Sequence, residues 1–597
     1  MLMLFGRIGF FVWLSPLSAA LDAVDLQAFW VGARFDLRIA MIAALTALPW
    51  LWLPKFNALA RPGFRIALRG WMALLFLLLV LIWVFDAGHY LYLQKRLDAA
   101  AFDLLKNADI STQMVWESYP VVWISLGLLV LLLGFNRLHR WAIGLSLATE
   151  AHMLSRTRFW LQGGVSAVLA TGLVLICLQG RLGAVPLRWN HAYFAGDAEV
   201  ATFALNAPIS VYSSLKFRSQ TLDTELLAAR KADVFSALQA EGAVLDEGLT
   251  RRQLPVNPKI PAGEQANVVI VMLESFGASR LQALGNPLVA TPNLDRLTAS
   301  SWWFPNFFVP AVSTAKSVFA SFTGIPDVSA VDTASRNPYA SDQRNFVEQM
   351  PHRPFYFLGG STGWANIGGF IQRSIPQMTI VEDGDWQSPT VDVWGVSDRA
   401  LITESADILK GATQPLWAYV QTAANHRPYT IADTGGDLQL LDVSEEQAIE
   451  AGFEGLEQLH AVQLLDHNMG YLIEYYQSLG LYENTVFVFF GDHQGSNNKT
   501  DFLPSFIEDL DLHWNHSFLM IHAPKWVEPR RDERLASLVD LQATIAGLSE
   551  SEFTNYTFGR NLNDPRFNHD APIYLHHHGQ PWMAILRHLV TPRDAML

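Results

Sequence analysis

The chain has 597 residues, half of them hydrophobic, with 56 acidic against 42 basic side chains and a formal net charge of −14 at pH 7. Such a length exceeds one ordinary domain, the acidic balance argues against nucleic-acid binding, and the apolar content is high for a soluble protein. The single cysteine, Cys177, excludes an intrachain disulfide, and its position in an apolar stretch excludes a cysteine zinc site or thiol nucleophile outside the membrane.

The apolar excess lies before residue 185. Stretches over about 8–21, 39–54, 70–85, 118–136 and 159–180 read as five membrane spans. The last two approach the roughly 20 residues a span needs, and flanking Trp, Tyr and Arg can extend the shorter three. The loop after the second span carries Lys55, Arg61, Arg65 and Arg69 with no acid, and the loop after the fourth carries Arg137, Arg140, Arg156 and Arg158 against Glu150. The loop after the third mixes Lys95, Arg96 and Lys106 with Asp98, Asp103, Asp109 and Glu117. The positive-inside rule therefore places the second and fourth loops and the amino terminus in the cytoplasm, and everything after the fifth span outside. The first stretch lacks a small-residue cleavage site followed by a soluble domain, and reads as a retained span.

This divides the chain into a transmembrane domain at 1–183, a connector at 184–266 and an extracytoplasmic domain at 267–597. In the connector, PLRWNHAYFAGDAEVATFALNAPISVYSSL suits the membrane surface, DTELLAARKADVFSALQAE has helical spacing, and RRQLPVNPKIPAGEQAN reads as an extended linker. From Asn267 onward, strand candidates at Asn267–Leu273, Phe355–Leu358, Leu416–Thr422, Thr485–Phe490 and Phe518–His522 alternate with helix candidates. The helices fall at Asn293–Ser300, Thr314–Thr323, Ser397–Leu409, Gly455–Ser478 and Glu533–Ala546. Alternation of this kind predicts an α/β domain with a mainly parallel central sheet flanked by helices.

Chemistry gathers where apolar strands end. NVVIVMLESFGAS ends its run on Glu274, TVFVFFGDHQG ends on Asp492 and His493, and VSTAKSVFASFTGIP offers Thr314 at a helix start. Two carboxylates, an imidazole and a hydroxyl can ligate a divalent cation and position a nucleophile for phosphoryl or sulfuryl transfer. Plainer roles compete: Glu274 and Thr314 both suit helix starts, and Ser313 is a second hydroxyl beside Thr314. Asp398 and Asp466 read as helix caps or braces, Trp302 and Trp303 as packing residues, and His576-His577-His578 as an exposed loop.

TPNLDRLTASSWWFPNFF and STAKSVFASFTGIP, with WGVSDRALI, NHRPY and LLDHNMGYLIEYYQSLGLYENTVFVFFGDHQG, resemble the sulfatase-like lipoteichoic acid synthase and phosphoglycerol transferase family of the alkaline phosphatase superfamily. Sulfatases need Cys or Ser at the nucleophile position, where this chain has Thr314. The resemblance implies that Glu274, Thr314, Asp492 and His493 ligate one Mn²⁺, with Mg²⁺ or Zn²⁺ as alternatives. It makes Thr314 the nucleophile and His426 a substrate-binding residue. It further implies transfer of phosphoglycerol from phosphatidylglycerol to a glycan or polymer acceptor, outside the cytoplasmic (inner) membrane of a bacterium. In LGGSTGWANIGGF, Leu358, Ala365 and Ile367 stand where the family has His, Trp and Arg, while Asn366 is kept as a substrate-side residue. The lost Arg removes a bidentate phosphate contact, so glycerol phosphate polymerisation is in question and the glucan-decorating type remains open. A phosphoethanolamine transferase is the alternative, weakened by the single cysteine, since that family uses several disulfides. A sulfatase or phosphodiesterase and a non-catalytic lipid-binding relative follow.

Overall fold

In the computed structural model, the described residues run from Leu2 to Pro565, with Ile573 and Leu575, interrupted by short stretches of which 103–115 and 230–242 are the longest. The chain divides into two compact units, Met1–Thr221 and Leu222–Leu597. The tract from Asp223 falls largely outside the described residues, and the three histidines from His576 do so entirely.

The first unit is helical: α1 (Leu2–Leu14), α2 (Ala23–Trp52), α3 (Pro62–Leu93), α4 (Val121–Ala148), α5 (Arg156–Gln179), α6 (Ala198–Ala204) and α7 (Ala207–Leu215). Among the described residues, each of the five apolar stretches overlaps a helix, the first only as far as Leu14. Among the described residues, two segments, Pro62–Leu91 in α3 and Val121–Gly144 in α4, are long and apolar enough to cross a membrane, whereas Met3–Val12 and Val165–Gln179 are shorter apolar runs. α2 carries the charged residues Asp25, Arg34, Asp36 and Arg38. Arg65 and Arg69 sit on α3, and Arg137 and Arg140 on α4, because those helices continue past their apolar cores. Along α4 the side chains of Trp123, Val130 and Leu133 face outward, a surface that suits lipid and not water.

The segment expected to suit the membrane surface packs into this unit. Trp189, Phe203 and Ile209 are buried with Phe10, Phe35 and Tyr90. Arg7 pairs with Asp36 at 2.8 Å, Asn206 donates to the same carboxylate at 2.9 Å, and Arg96 pairs with Asp86 at 2.6 Å. Buried charges persist only when paired in this way.

In the second unit, β1 (Ala243–Asp246), β2 (Leu249–Gln253) and β14 (Thr554–Asn555) make a small antiparallel ribbon. The main sheet has nine strands. They are β3 (Asn267–Leu273), β4 (Trp302–Phe308), β5 (Arg353–Leu358), β6 (Thr379–Val381), β9 (Leu416–Gln421), β10 (Thr485–Gly491), β11 (His516–His522), β12 (Arg530–Arg531) and β13 (Ala536–Ser537). β7 (Thr390–Asp392) and β8 (Gly395–Val396) form a separate hairpin. The order is β12-β4-β11-β10-β3-β9-β5-β6 with β13 beside β4, and β11 runs antiparallel between β10 and β4.

Both faces of the sheet are covered, which is why β3 reads as an unbroken apolar run. Val268, Ile270 and Met272 pack on one face with residues of α9 (Thr314–Thr323), α10 (Ile367–Ser374) and α15 (Leu541–Gly547). Val269, Val271 and Leu273 pack on the other with α11 (Asp398–Gly411) and α13 (Leu456–Ser478). The remaining helices are α8 (Pro292–Thr298), α12 (Glu445–Glu450) and α14 (Ser505–Asp509).

The mainly parallel α/β sheet expected from the sequence is present. Trp302 and Trp303, expected as packing residues, open the strand β4, which holds Pro305 within WWFPNFF. The strand tolerates it where pairing with β11 is irregular, between Ser517 and Leu519. The helix expected over Glu533–Ala546 is shorter, since Ala536 and Ser537 join the sheet beside β4 and the Ser537 N–H donates to Asp540 at 2.9 Å.

Candidate active site

β3 and β10 are neighbouring parallel strands in which Leu273 pairs with Gly491. The next residues, Glu274 and Asp492, therefore leave the sheet together at its carboxyl end, the usual location for ligands in such folds. Adjacent loops hold them. The Glu274 N–H donates to Thr422 Oγ1 at 3.1 Å, and the Asp492 N–H to the Leu273 carbonyl at 3.2 Å. Ser275, at a left-handed φ of 51°, serves both carboxylates: its N–H donates to Asp492 Oδ1 at 2.7 Å and its hydroxyl to Glu274 Oε1 at 2.8 Å. Asn425 Nδ2 donates to the carbonyls of Glu274 and Ser275, at 3.0 and 3.1 Å, and Ser317 donates to the Asp492 carbonyl at 2.6 Å.

Thr314 is the first residue of α9, which Ser313 precedes in extended backbone and Gly324 ends at φ 63°. Only there does the helix require a residue at ease in the left-handed region. Thr314 Oγ1 lies 3.4 and 3.5 Å from the Glu274 carboxylate oxygens and 3.4 Å from His493 Nε2, which is itself 3.5 Å from Asp492 Oδ2. The fold thus brings together all four residues singled out at the strand ends and helix start.

Glu274 and Asp492 are buried, at 3 % and 0 % exposure. Burial first, and then the charge of Asp492, raises the Glu274 carboxyl, against smaller lowering effects of His493, His426 and the Ser275 hydroxyl. Burial likewise pushes Asp492 up to about 7, eased by the Thr314 hydroxyl and the Ser275 N–H. Asp492 Oδ2 is buried without a hydrogen-bond partner.

These features fit a divalent ion. Ligand atoms about 2.1 Å from an ion stand roughly 3.0–3.4 Å from one another, close to the separations around Thr314 Oγ1. Ligand atoms of Glu274, Asp492 and His493 all lie within 4.8 Å of one another. A cation there would satisfy the orphaned oxygen and offset the burial of two carboxylates.

His426 is half-buried in the loop after β9, its ring against Trp394 with centroids 4.0 Å apart. Asp398 braces that loop, accepting from the N–H groups of Ala423 and Ala424 at 2.8 and 3.1 Å. Asp466 caps α8 through the N–H groups of Asn293 and Leu294, at 3.0 and 2.7 Å. Asn366 begins α10 at φ 66°, is buried, donates to the Ser335 carbonyl and keeps Oδ1 without a partner. Leu358, Ala365 and Ile367 are buried members of the apolar core on that side of the sheet. Sequence reasoning missed Ser275, Thr422, Asn425 and Ser317. Thr422 directly follows β9, Ser275 stands two residues past the end of β3, and Asn425 opens NHRPY, and these places are the one signal that points to them.

Residues 266–551 match the family model described as Sulfatase, so this part of the chain is a sulfatase-type α/β domain. Among curated proteins the chain is similar to the lipoteichoic acid synthase of Staphylococcus saprophyticus, 23% identical over 337 residues, covering 52% of this chain and 50% of that one. It is also similar to that of Staphylococcus aureus, 24% identical over 344 residues, covering 54% of this chain and 51% of that one. The chain spans about half the length of these curated relatives. Among solved structures, a protein in the alkaline phosphatase superfamily from Vibrio parahaemolyticus aligns with a TM-score of 0.44 and 23% identity over 52% of this chain and 73% of that one. The lipoteichoic acid synthase LtaP from Listeria monocytogenes aligns with a TM-score of 0.44 and 18% identity over 55% of this chain and 80% of that one.

Proposed function

We propose that this protein is a metal-dependent transferase that moves phosphoglycerol from phosphatidylglycerol to a glycan or polymer acceptor, through a phosphothreonine at Thr314. The observation that carries the reading is the Thr314 hydroxyl, 3.4 Å from both Glu274 and His493 at the first turn of a helix. Glu274, Thr314, Asp492 and His493 hold the ion, taken as Mn²⁺. When bound, it lowers the pKa of the hydroxyl and offsets charge on a phosphoryl oxygen.

In the first displacement the Thr314 Oγ–P bond forms and the bond from phosphorus to the diacylglycerol oxygen breaks, the threonine proton ending on that oxygen. In the second, an acceptor hydroxyl forms the new P–O bond, the Thr314–P bond breaks and the proton returns to Thr314. His426 binds the phosphoryl group and relays these protons, an ordinary task for an imidazole. Asn366 serves on the substrate side through its free Oδ1 and the turn into α10 that it forms. In this reading α1 to α5 all act as spans, with the amino terminus in the cytoplasm and the sulfatase-type domain outside a bacterial inner membrane.

The test is incubation of the purified protein with labelled phosphatidylglycerol or phosphatidylethanolamine and Mn²⁺. Diacylglycerol release from phosphatidylglycerol, with a phosphoglycerol mass addition on Thr314, is expected. Release from phosphatidylethanolamine alone would overturn it.

A further inference from the structure

The phosphoryl transfer leaves two half-exposed indoles beside the metal centre without a role. Trp394 lies against His426, with ring centroids 4.0 Å apart, and Trp364 meets Trp394 edge to face at 6.0 Å and 81°. Together the three rings make a continuous half-buried wall. The neighbouring Asn425 ties this loop to the site, its Nδ2 donating to the carbonyls of Glu274 and Ser275 at 3.0 and 3.1 Å.

Trp394 is held rigidly for a residue at a hairpin tip. Its Nε1–H donates to the Arg427 carbonyl at 2.7 Å, and its backbone N–H to Asp392 Oδ1 at 2.8 Å. The next residue, Gly395, has φ 110° and lies so close to Gly359 that a Cβ would stand 2.0 Å from that carbonyl oxygen. A Cβ on Gly360 would stand 2.5 Å from the Trp394 carbonyl. The hairpin and the loop after β5 are therefore in close backbone contact at Trp394 and Gly395.

These facts narrow the ligand. The indole N–H is already consumed, so the ring offers an apolar face with negative quadrupolar charge and no donor. Such a face suits the slightly positive C–H groups on one side of a sugar ring. Charged groups on these loops include Arg427, tied to Glu454 at 2.7 Å, Asp392, and Glu382, which accepts from the Thr362 hydroxyl at 2.7 Å. Three carboxylates against one guanidinium do not attract a phosphate chain. Behind the wall, Ala365 and Ile367 are buried apolar residues and bring no cation to it.

We propose that Trp394, backed by Trp364 and flanked by His426, is a stacking subsite for a neutral pyranose ring of the acceptor, an assignment that rests on the transferase reading for the word acceptor. A ring seated on Trp394 sets its hydroxyl beside His426, the residue that takes the acceptor proton. Pre-organised aromatic surface of this kind binds with little loss of side-chain freedom.

Calorimetric titration of the full-length protein in detergent tests this, with a neutral β-linked gluco-oligosaccharide and with poly(glycerol phosphate) as anionic comparator. The oligosaccharide binds the wild type saturably and more tightly than the polymer. Trp394→Ala weakens it at least tenfold and Trp394→Phe less than threefold, thermal melting serving as the check on folding. On the wild type alone, saturation transfer by NMR falls most strongly on the C–H protons of one sugar face. Absence of oligosaccharide binding, equal binding by Trp394→Ala, or preference for the polymer overturns the subsite. Diacylglycerol release is followed in parallel. Release without oligosaccharide binding removes the subsite and leaves the transferase, whereas Trp394-dependent binding without release removes the transferase and leaves a sugar site.

Discussion

Leu273 and Gly491 are register partners on adjacent parallel strands, and this one pairing sets Glu274 beside Asp492. The two carboxylates come from positions more than two hundred residues apart and are buried next to one another with Ser275 bridging them. Two acids held this closely in a dry site are unfavourable without a cation.

Thr314 is the nucleophile of this reading, and its substitution separates chemistry from structure. Thr314→Ala is expected to lower diacylglycerol release by roughly 10³-fold or more. Thr314→Ser retains part of the activity, because the hydroxyl stays at the start of α9. Mass spectrometry of the trapped protein checks both, since the phosphoglycerol adduct disappears in the first variant and moves to the serine in the second.

Asp492 gives a pH test whose sign is definite. Its folded carboxyl titrates near 7, raised by burial above an ordinary value of 3.8. Raising an acid's pKa favours its neutral form, so the folded state is helped below the unfolded pKa and loses that help as pH rises through about 7. In chelator, Asp492→Asn is therefore expected to be more stable than wild type at pH 7.5, on the order of 2 kcal/mol. The gain vanishes as pH falls towards 4. Adding Mn²⁺ reverses the order by stabilising the wild type, and melting curves at several pH values in chelator and in Mn²⁺ read all of this. Mn²⁺ affinity itself weakens as pH drops below neutrality, because the ion must displace protons.

Asp466 caps α8 from α13 through three hydrogen bonds, two from N–H groups and one from the Asn293 side chain at 2.9 Å. Asp466→Ala removes the acceptor and leaves buried donors unmet, an expected loss of about 2–4 kcal/mol, visible as a lower melting temperature. Asp466→Asn keeps one acceptor and loses less.

Membrane topology is testable because Cys177 is the sole cysteine. In a Cys177→Ser background, a cysteine placed at the exposed Ser444 is expected to react with an impermeant maleimide on intact spheroplasts. A cysteine at Gly63, exposed at the start of α3, is expected to react only after permeabilisation. The reverse pattern would place the sulfatase-type domain in the cytoplasm.

Much of the catalytic scaffold was legible locally. β3 and α9 occur at the residues the sequence marked for them, since a doubly buried strand is continuously apolar and a helix closed by Gly324 announces its end. β4 was not legible, because its Pro305 reads as a breaker until the irregular pairing with β11 is known. In the first unit, hydropathy located the helices but not their ends, since α2 carries charges that become tolerable only through partners such as Arg7.

By itself, the sequence determined which residue types stand at the strand ends: a carboxylate after β3, an Asp-His pair after β10, and a hydroxyl at the head of α9. These follow from local alternation and punctuation, which short-range physics governs. Only the tertiary structure decided that β10 lies beside β3, that Ser275 bridges the two carboxylates, and that Trp394 stands against His426. Strand order and loop contacts arise from packing between segments far apart in the chain, and no local pattern encodes such distances.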